Sequence, residues 1–121
     1  MRLRPAILVA AGLLTLMSHL LSNDAPAHGR RVLVISTPSK TDARFLKQRS
    51  LLTPRSEPFL ERDLVVKVRP GEFMVALIGK DGRVAFYSHE PMTQGEIFAR
   101  IDVMPMRRDE MRRQKAKRKV D

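Results

Sequence analysis

A short apolar run at residues 73–78, bounded on both sides by turn residues, constrains this chain more than any other stretch. Six apolar residues are too few for an independent helix, so the run predicts a strand buried on both faces. Asp81-Gly82 then predicts a two-residue type I′ turn, because both residue types tolerate a positive φ. Residues 84–87 would return antiparallel. The sequence therefore predicts a central hairpin over residues 73–87.

The chain before this hairpin predicts a strand–helix–strand unit. Residues 31–36 and 63–68 are rich in β-branched apolar side chains and predict two further strands. Residues 42–52 predict a helix between them, and residues 54–61 predict a loop or a short helical turn. The connection is long enough for the right-handed crossover that joins parallel strands. The expected class is α/β.

The chain after the hairpin predicts a helix and then a basic tail. Thr93 and Glu96 have the spacing of a capping box, and the apolar residues of 97–104 recur at helical spacing. Pro105 is expected to interrupt this helix. Residues 107–119 contain eight basic and two acidic side chains, which predicts a solvated tail or a frayed helix.

Composition excludes several chemistries. The chain has no cysteine, so it forms no disulfide and has no thiol nucleophile or thiolate metal site. Its net charge of +10 predicts attraction to polyanions. It has no tryptophan and only 5% aromatic residues, so it has few side chains on which bases could stack, and nucleic-acid binding is not favoured.

The N-terminus has the three regions of an export signal. Arg2 and Arg4 form a basic start, residues 6–17 are apolar, and residues 25–27 read Ala-Pro-Ala, a small-x-small cleavage site. The apolar part is shorter than the roughly 20 residues of a membrane-spanning helix. We expect a signal peptide at residues 1–27 and an exported chain, periplasmic or secreted. The alternative is an uncleaved anchor helix.

Two runs in the second half of the chain resemble a known family. One is Phe73-x-x-x-Leu77-x-Gly79-Lys80-Asp81-Gly82 followed by Glu90-Pro91, and the other is Ile101-Asp102-x-Met104-Pro105-Met106-Arg107-Arg108-x-Glu110-Met111. They are similar to the domain of unknown function 4174, which occurs in bacterial exported proteins and in vertebrate extracellular-matrix and sushi-repeat proteins. The resemblance spans residues 31–113 and implies a thioredoxin-like fold without the redox cysteines.

One feature departs from this resemblance. The family implies more chain, including a helix, between the strand at residues 63–68 and the strand at 73–78, where this sequence has four residues. So short a link cannot join parallel neighbours. Either the two strands pair antiparallel through a type II turn at Pro70-Gly71, or one of the two does not belong to the expected sheet.

The sequence thus predicts a signal peptide at residues 1–27, a reduced thioredoxin-like domain at 28–106 and a basic tail at 107–121. It predicts no catalytic residue, cofactor or metal site. The expected function is an exported binding or structural module that attaches to anionic polysaccharide or lipid head groups. The residues expected to make this attachment are Arg107, Arg108, Arg112, Arg113, Lys115, Lys117, Arg118 and Lys119.

Three alternatives remain open at this stage. The tail has no ligand and only keeps the protein soluble, or the protein binds nucleic acid. The third alternative is an enzyme of unrecognised type with a site near the turn at Thr37-Pro38. The family resemblance places the missing redox cysteines at that turn, so a thiol-disulfide oxidoreductase is excluded.

Overall fold

The computed structural model describes residues 29–120, and within them it shows four strands and four helices. The strands form one mixed sheet in the order β2-β1-β3-β4, so the predicted α/β class is confirmed. In chain order the elements are β1 (Arg31–Thr37), α1 (Ala43–Ser50), α2 (Glu57–Glu61), β2 (Leu64–Pro70), β3 (Met74–Ile78), β4 (Val84–Ser88), α3 (Gln94–Asp102) and α4 (Pro105–Val120).

The inner strands β1 and β3 are buried along their whole length, as predicted for residues 73–78. Strand β1 pairs in parallel with β2, where Leu33 lies opposite Val66. It pairs antiparallel with β3, where Leu33 lies opposite Leu77. A strand with a neighbour on each side forms all its backbone hydrogen bonds within the sheet, so it can be buried without leaving polar groups unpaired. Side chains on both faces of such a strand are then buried, which is why β1 and β3 are rich in apolar residues.

The predicted hairpin of β3 and β4 is confirmed, but its predicted turn is wrong. The loop has three residues, because the Gly79 N–H donates to the Arg83 carbonyl at 2.8 Å and the Gly82 N–H donates to the Gly79 carbonyl at 3.0 Å. Within this loop Gly82 has a positive φ of 80° and Asp81 does not. A three-residue loop requires the left-handed conformation at its last position alone, and glycine stands there.

The connection from β2 to β3 has neither of the expected arrangements. Both strands belong to the sheet, but β1 lies between them, so they run antiparallel without being neighbours. Residues 71–73 pass over the end of β1, where the Gly71 N–H donates to the Thr37 carbonyl at 3.0 Å. Strands two places apart are separated by about 9.6 Å, a distance that this short segment can span.

The helices begin where the sequence provides caps. The Asp42 side chain accepts hydrogen bonds from the N–H groups of Arg44 and Phe45, at 3.0 and 3.3 Å, and so caps α1. The Thr93 hydroxyl accepts from the Glu96 N–H at 3.2 Å and caps α3, as predicted. Residues 57–61, expected as a loop or a helical turn, form the short helix α2.

The two faces of the sheet are covered differently. Phe45 of α1, Phe59 of α2 and Ile97 of α3 pack on one face in a core that includes Leu33 and Leu77. On the other face the apolar side chains come from strands alone among residues 29–120. That second cluster consists of Val32, Val34, Met74, Ala76 and Ile78, with Val65 and Val84 against its margin.

The predicted signal peptide, residues 1–27, lies outside the described residues. From residue 29 to residue 120, the chain contains no helix with both the length and the apolar character that crossing a membrane requires.

We expect Gly71→Ala to destabilise the fold by about 1–3 kcal/mol, because Gly71 has a φ of 146° and a Cβ there would lie 2.7 Å from Ser36 Oγ. Gly95→Ala is the matched control: it places a methyl group in open space on α3 and is expected to be neutral or stabilising by up to about 1 kcal/mol. Urea unfolding of both variants measures the two free energies. Equal stability of the two variants would contradict the assigned crossing over β1.

Candidate anion-binding helix

The predicted basic tail is a helix of 16 residues, α4. Pro105 occupies its first position. The fixed φ of proline suits a helix, and the N–H that proline lacks would form no hydrogen bond within the helix at this position. The Met104 carbonyl accepts the Arg108 N–H at 2.9 Å, which starts the helical hydrogen bonds. Pro105 therefore ends α3 as expected, and a second helix begins at once.

Glu110 joins the first half of α4 to the sheet. Its Oε1 and Oε2 accept from Nη1 and Nη2 of Arg31, both at 3.1 Å, in a two-pronged ion pair. The Arg31 side chain is only 1% exposed, and its Nη1 also donates to the Arg62 carbonyl at 2.7 Å. The two parallel hydrogen bonds of such a contact fix the relative orientation of the two side chains. It fixes α4 to the beginning of β1.

The hairpin loop reaches the same carboxylate. Lys80 Nζ lies 2.8 Å from Oε2 of Glu110 and 2.7 Å from Oδ2 of Asp63. Lys80 belongs to the Gly-Lys-Asp-Gly run and Glu110 to the run that begins at Ile101. The two runs that carry the family resemblance thus meet at one ion cluster, in which the Lys80 side chain is only 14% exposed.

Arg107 differs from the other basic residues of α4, because it is buried, with its side chain 4% exposed. Its Nε donates to Asp102 Oδ1 at 3.2 Å, and its Nη1 donates to the Glu61 carbonyl at 3.0 Å. Arg62 binds both oxygens of Asp102, at 3.0 and 2.8 Å. Burial raises the pKa of Asp102, but these two guanidinium groups outweigh it and hold the pKa below the ordinary 3.8. Arg107 therefore helps to anchor the helix.

The contacts of the Glu110 cluster shift the pKa values of Glu110 and Lys80. Burial by itself raises the pKa of Glu110, but the hydrogen bonds and charges of Arg31 and Lys80 outweigh burial and place it below the ordinary 4.5. Burial lowers the pKa of Lys80, but Asp63 and Glu110 outweigh that effect and place it above 10.5. Glu110 and Lys80 are therefore both charged at neutral pH.

The other basic residues of α4 face solvent. Four of them recur at i, i+4, i+7 and i+11, a spacing that places them on one side of a helix over about 16 Å. We call these four the basic stripe: Arg108, Arg112, Lys115 and Lys119. Arg113, Lys117 and Arg118 are also exposed, on other sides. Arg112 is hydrogen-bonded to Asp109, and no acidic residue occurs between residues 111 and 120.

The turn at Thr37-Pro38 has the structure of a connection. The Thr37 side chain is buried, and its hydroxyl donates to the Ser39 carbonyl at 2.6 Å. An open groove of about 500 Å³ runs along α1, lined in part by Arg44, Lys47 and Glu90, and it includes neither residue of the turn. Within residues 29–120 no group of three histidine or acidic side chains has the arrangement of a metal site.

Sequence reasoning missed the ion clusters. Arg31, Lys80 and Glu110 are distant in the chain, and local patterns place them only in a strand, in the hairpin loop and in the basic tail. One signal was present: Arg31 begins an apolar run that was expected to be buried, and a buried arginine requires an acidic partner. Nothing in the sequence identified Glu110 as that partner.

The fold and this helix define a small α/β domain whose last helix is held at one end by buried charge and is basic and exposed at the other. Residues 66–110 match the model of a family described as Domain of unknown function (DUF4174), so the predicted resemblance is confirmed over these residues. No curated protein and no solved structure matches the chain. The match extends from β2 to Glu110, so it includes Lys80 and Asp102 and excludes the cations from Arg112 onward.

We expect Glu110→Gln to lower the free energy of unfolding by about 3 kcal/mol at neutral pH, because it leaves the buried Arg31 charge without its carboxylate. The depressed pKa of Glu110 adds a pH dependence. Its contribution is complete above pH 4.5 and is lost as the pH falls through the lower pKa of the folded state. The difference between the two proteins should therefore disappear in acid. Urea unfolding across this pH range measures it.

Glu90→Gln is the control for this substitution, because Glu90 is exposed and the same charge is removed. It should change the free energy of unfolding by less than about 0.5 kcal/mol. A Glu110→Gln protein as stable as Glu90→Gln at neutral pH would show that the cluster does not hold α4.

Proposed function

We propose that this protein is an exported, non-catalytic module that attaches to anionic polymers or head groups through the exposed cations of α4. The observation that carries the proposal is the basic stripe, four cations on one side of a helix whose last ten residues contain no acidic side chain. A row of like charges attracts a polyanion, and each cation placed near an anionic surface contributes about 1 kcal/mol.

The ion clusters support this assignment by dividing the cations into two groups. Arg31, Lys80 and Arg107 are engaged with carboxylates and do not face solvent. The stripe is more exposed, and the Arg112 side chain is 74% exposed even though it contacts Asp109. An extended anion can therefore reach the stripe without breaking the contacts that hold the helix.

The composition of α4 favours a polymer over insertion into a lipid bilayer. Beyond Glu110 the apolar side chains of the helix are Met111, Ala116 and Val120. A helix that lies in a membrane interface needs a continuous apolar face, which these three residues do not form. An anionic polysaccharide is thus the better ligand, and lipid head groups would be bound at their surface only.

The absence of cysteine and the fold class support a binding role for a thioredoxin-like domain. We propose the thioredoxin-like assignment because a parallel strand–helix–strand unit followed by a hairpin and a helix resembles the reduced form of that arrangement. With no cysteine in the chain, such a domain has no thiol–disulfide chemistry. The pKa values of Lys80, Asp102 and Glu110 are shifted by ion pairs that hold the base of α4: Lys80 pairs with Glu110, and Asp102 pairs with Arg62 and Arg107.

Replacing three cations of the stripe should abolish most of the binding. We expect Arg112→Gln, Lys115→Gln and Lys119→Gln together to weaken binding to a sulfated polysaccharide by about 3 kcal/mol, roughly a hundredfold at low salt. Elution from a heparin column in a salt gradient, followed by titration, measures the loss. Glutamine preserves the helix, so the change isolates the charge.

The matched control removes three exposed cations elsewhere, with Lys40→Gln, Lys47→Gln and Arg49→Gln. It lowers the net charge equally and should weaken binding several-fold at most. Equal losses for the two triple variants would contradict a specific role of α4. Vesicles with anionic lipid and a DNA duplex serve as further ligands, and tighter binding to either than to the polysaccharide would reassign the partner.

Export rests on residues 1–27 and has a separate test. We expect these residues, fused to a reporter that is active only outside the cytosol, to give an active reporter. Ile7→Lys and Leu14→Lys place two charges in the apolar part and should abolish export, since each charge opposes membrane insertion by about 3 kcal/mol. A reporter that stays inactive with the unchanged residues would contradict export.

A further inference from the structure

The basic stripe is a single narrow row of charge. Its four cations follow one another at steps of four, three and four residues, so α4 presents about one cation per helical turn of about 5.4 Å. By their helical positions, Met111 and Ala116 border the row on its two sides, and neither is charged. A ligand that meets all four cations must therefore be about 16 Å long, but it need be no wider than one row.

The stripe lies on the side of α4 that is turned away from the sheet. Glu110 follows Arg108 by two residues, and at about 100° per residue its side chain leaves the helix on nearly the opposite side. There Glu110 binds Arg31, and Arg107 donates to the Glu61 carbonyl. These contacts hold the helix and leave the stripe open to a ligand that lies along the helix axis.

The spacing of the stripe identifies the charge density of the ligand that complements it. One sugar lengthens an extended polysaccharide by about as much as one turn lengthens a helix, about 5.4 Å. A polymer with an anionic group on every sugar therefore places about four anions beside the stripe, because the stripe spans about three turns. A polymer with an anionic group on every second sugar places about two anions there, at the same helical pitch.

The number of anions beside the stripe determines the affinity, because the cations can adjust to their exact positions. Lysine and arginine have long side chains, whose charged ends absorb a small mismatch between turn and sugar. Each cation near an anionic surface contributes about fivefold in affinity, so two further ion pairs contribute about thirtyfold. Arg112 also contacts Asp109, but an exposed pair of this kind contributes little, so an anionic sugar can replace Asp109.

We infer that the ligand of the basic stripe is a linear polysaccharide with one anionic group on every sugar, and that about four successive sugars lie along α4. This inference rests on the anion binding proposed above and specifies its ligand. It differs from attraction by net charge alone, because a polysaccharide of half the charge density meets the same net charge but engages only half of the stripe.

Two oligosaccharides of equal charge and different charge density test the inference. A four-sugar oligogalacturonate has its four carboxylates on successive sugars, and an eight-sugar hyaluronan fragment has its four on alternate sugars. Titration of the isotope-labelled full chain at low salt, followed by the NMR shifts of the α4 amides, measures both dissociation constants. We expect the oligogalacturonate to bind about thirtyfold more tightly. Equal affinities would overturn the inference and leave anion binding intact, whereas unshifted α4 amides with both ligands would overturn anion binding as well.

Shortening the stripe at one end gives a second test. Arg108→Gln leaves three cations, so the four-sugar ligand should bind about fivefold more weakly. A two-sugar oligogalacturonate fits on the remaining cations and should lose less than about twofold. Arg113→Gln is the matched control, because Arg113 is exposed on another side of the same helix, and it should weaken both ligands equally and by less than about twofold. An Arg108→Gln loss that is the same for both ligand lengths would contradict binding along the helix axis.

Discussion

The structure depends on one carboxylate that three parts of the chain share. Glu110 of α4 binds Arg31 at the start of β1 and Lys80 in the hairpin loop. Because β1 pairs with two neighbours, a contact to its first residue fixes the helix relative to the whole sheet. An isolated charge at the position of Arg31 would cost several kcal/mol, so the helix cannot leave without exposing or neutralising that charge. The orientation of α4 therefore follows from an electrostatic requirement of the sheet, and a second cluster around Asp102 and Arg107 reinforces it.

The local structure could be predicted from the sequence, and the order of the strands could not. Apolar runs, capping residues and Pro105 identified the strands and helices because each signal lies within a few residues of the element it specifies. The position of β1 between β2 and β3 depends on contacts between distant segments, which no local pattern records. The three-residue hairpin loop was missed for a smaller reason: Asp-Gly suits both loop lengths, and the Gly79 to Arg83 hydrogen bond decides between them.

In the candidate site, too, the sequence predicts the local feature and not the contacts between distant residues. A count of charges identified residues 107–119 as basic, but it could not separate the cations that face solvent from those that hold the helix. Helical geometry makes that separation, because Arg107 and Arg108 are adjacent in sequence yet point to different sides. Once Arg107 and Glu110 are placed against the sheet, the spacing of the other cations determines which of them form a continuous row. The missing information was the set of contacts that hold the first half of this helix against the sheet, which a basic and polar sequence does not indicate by itself.

The ion clusters hold only the first half of α4, and this has a consequence for the anion binding proposed for its second half. A free helix of this length is marginal in water, because its first turn costs conformational entropy that few hydrogen bonds repay. The clusters at Arg107 and Glu110 order the first two turns as part of folding, so the later residues extend an existing helix. In the binding proposed for α4, the cations would therefore already be in register, and association would not have to organise a random chain first. A rigid charged rod of this kind loses less freedom on binding than a disordered tail of the same composition would.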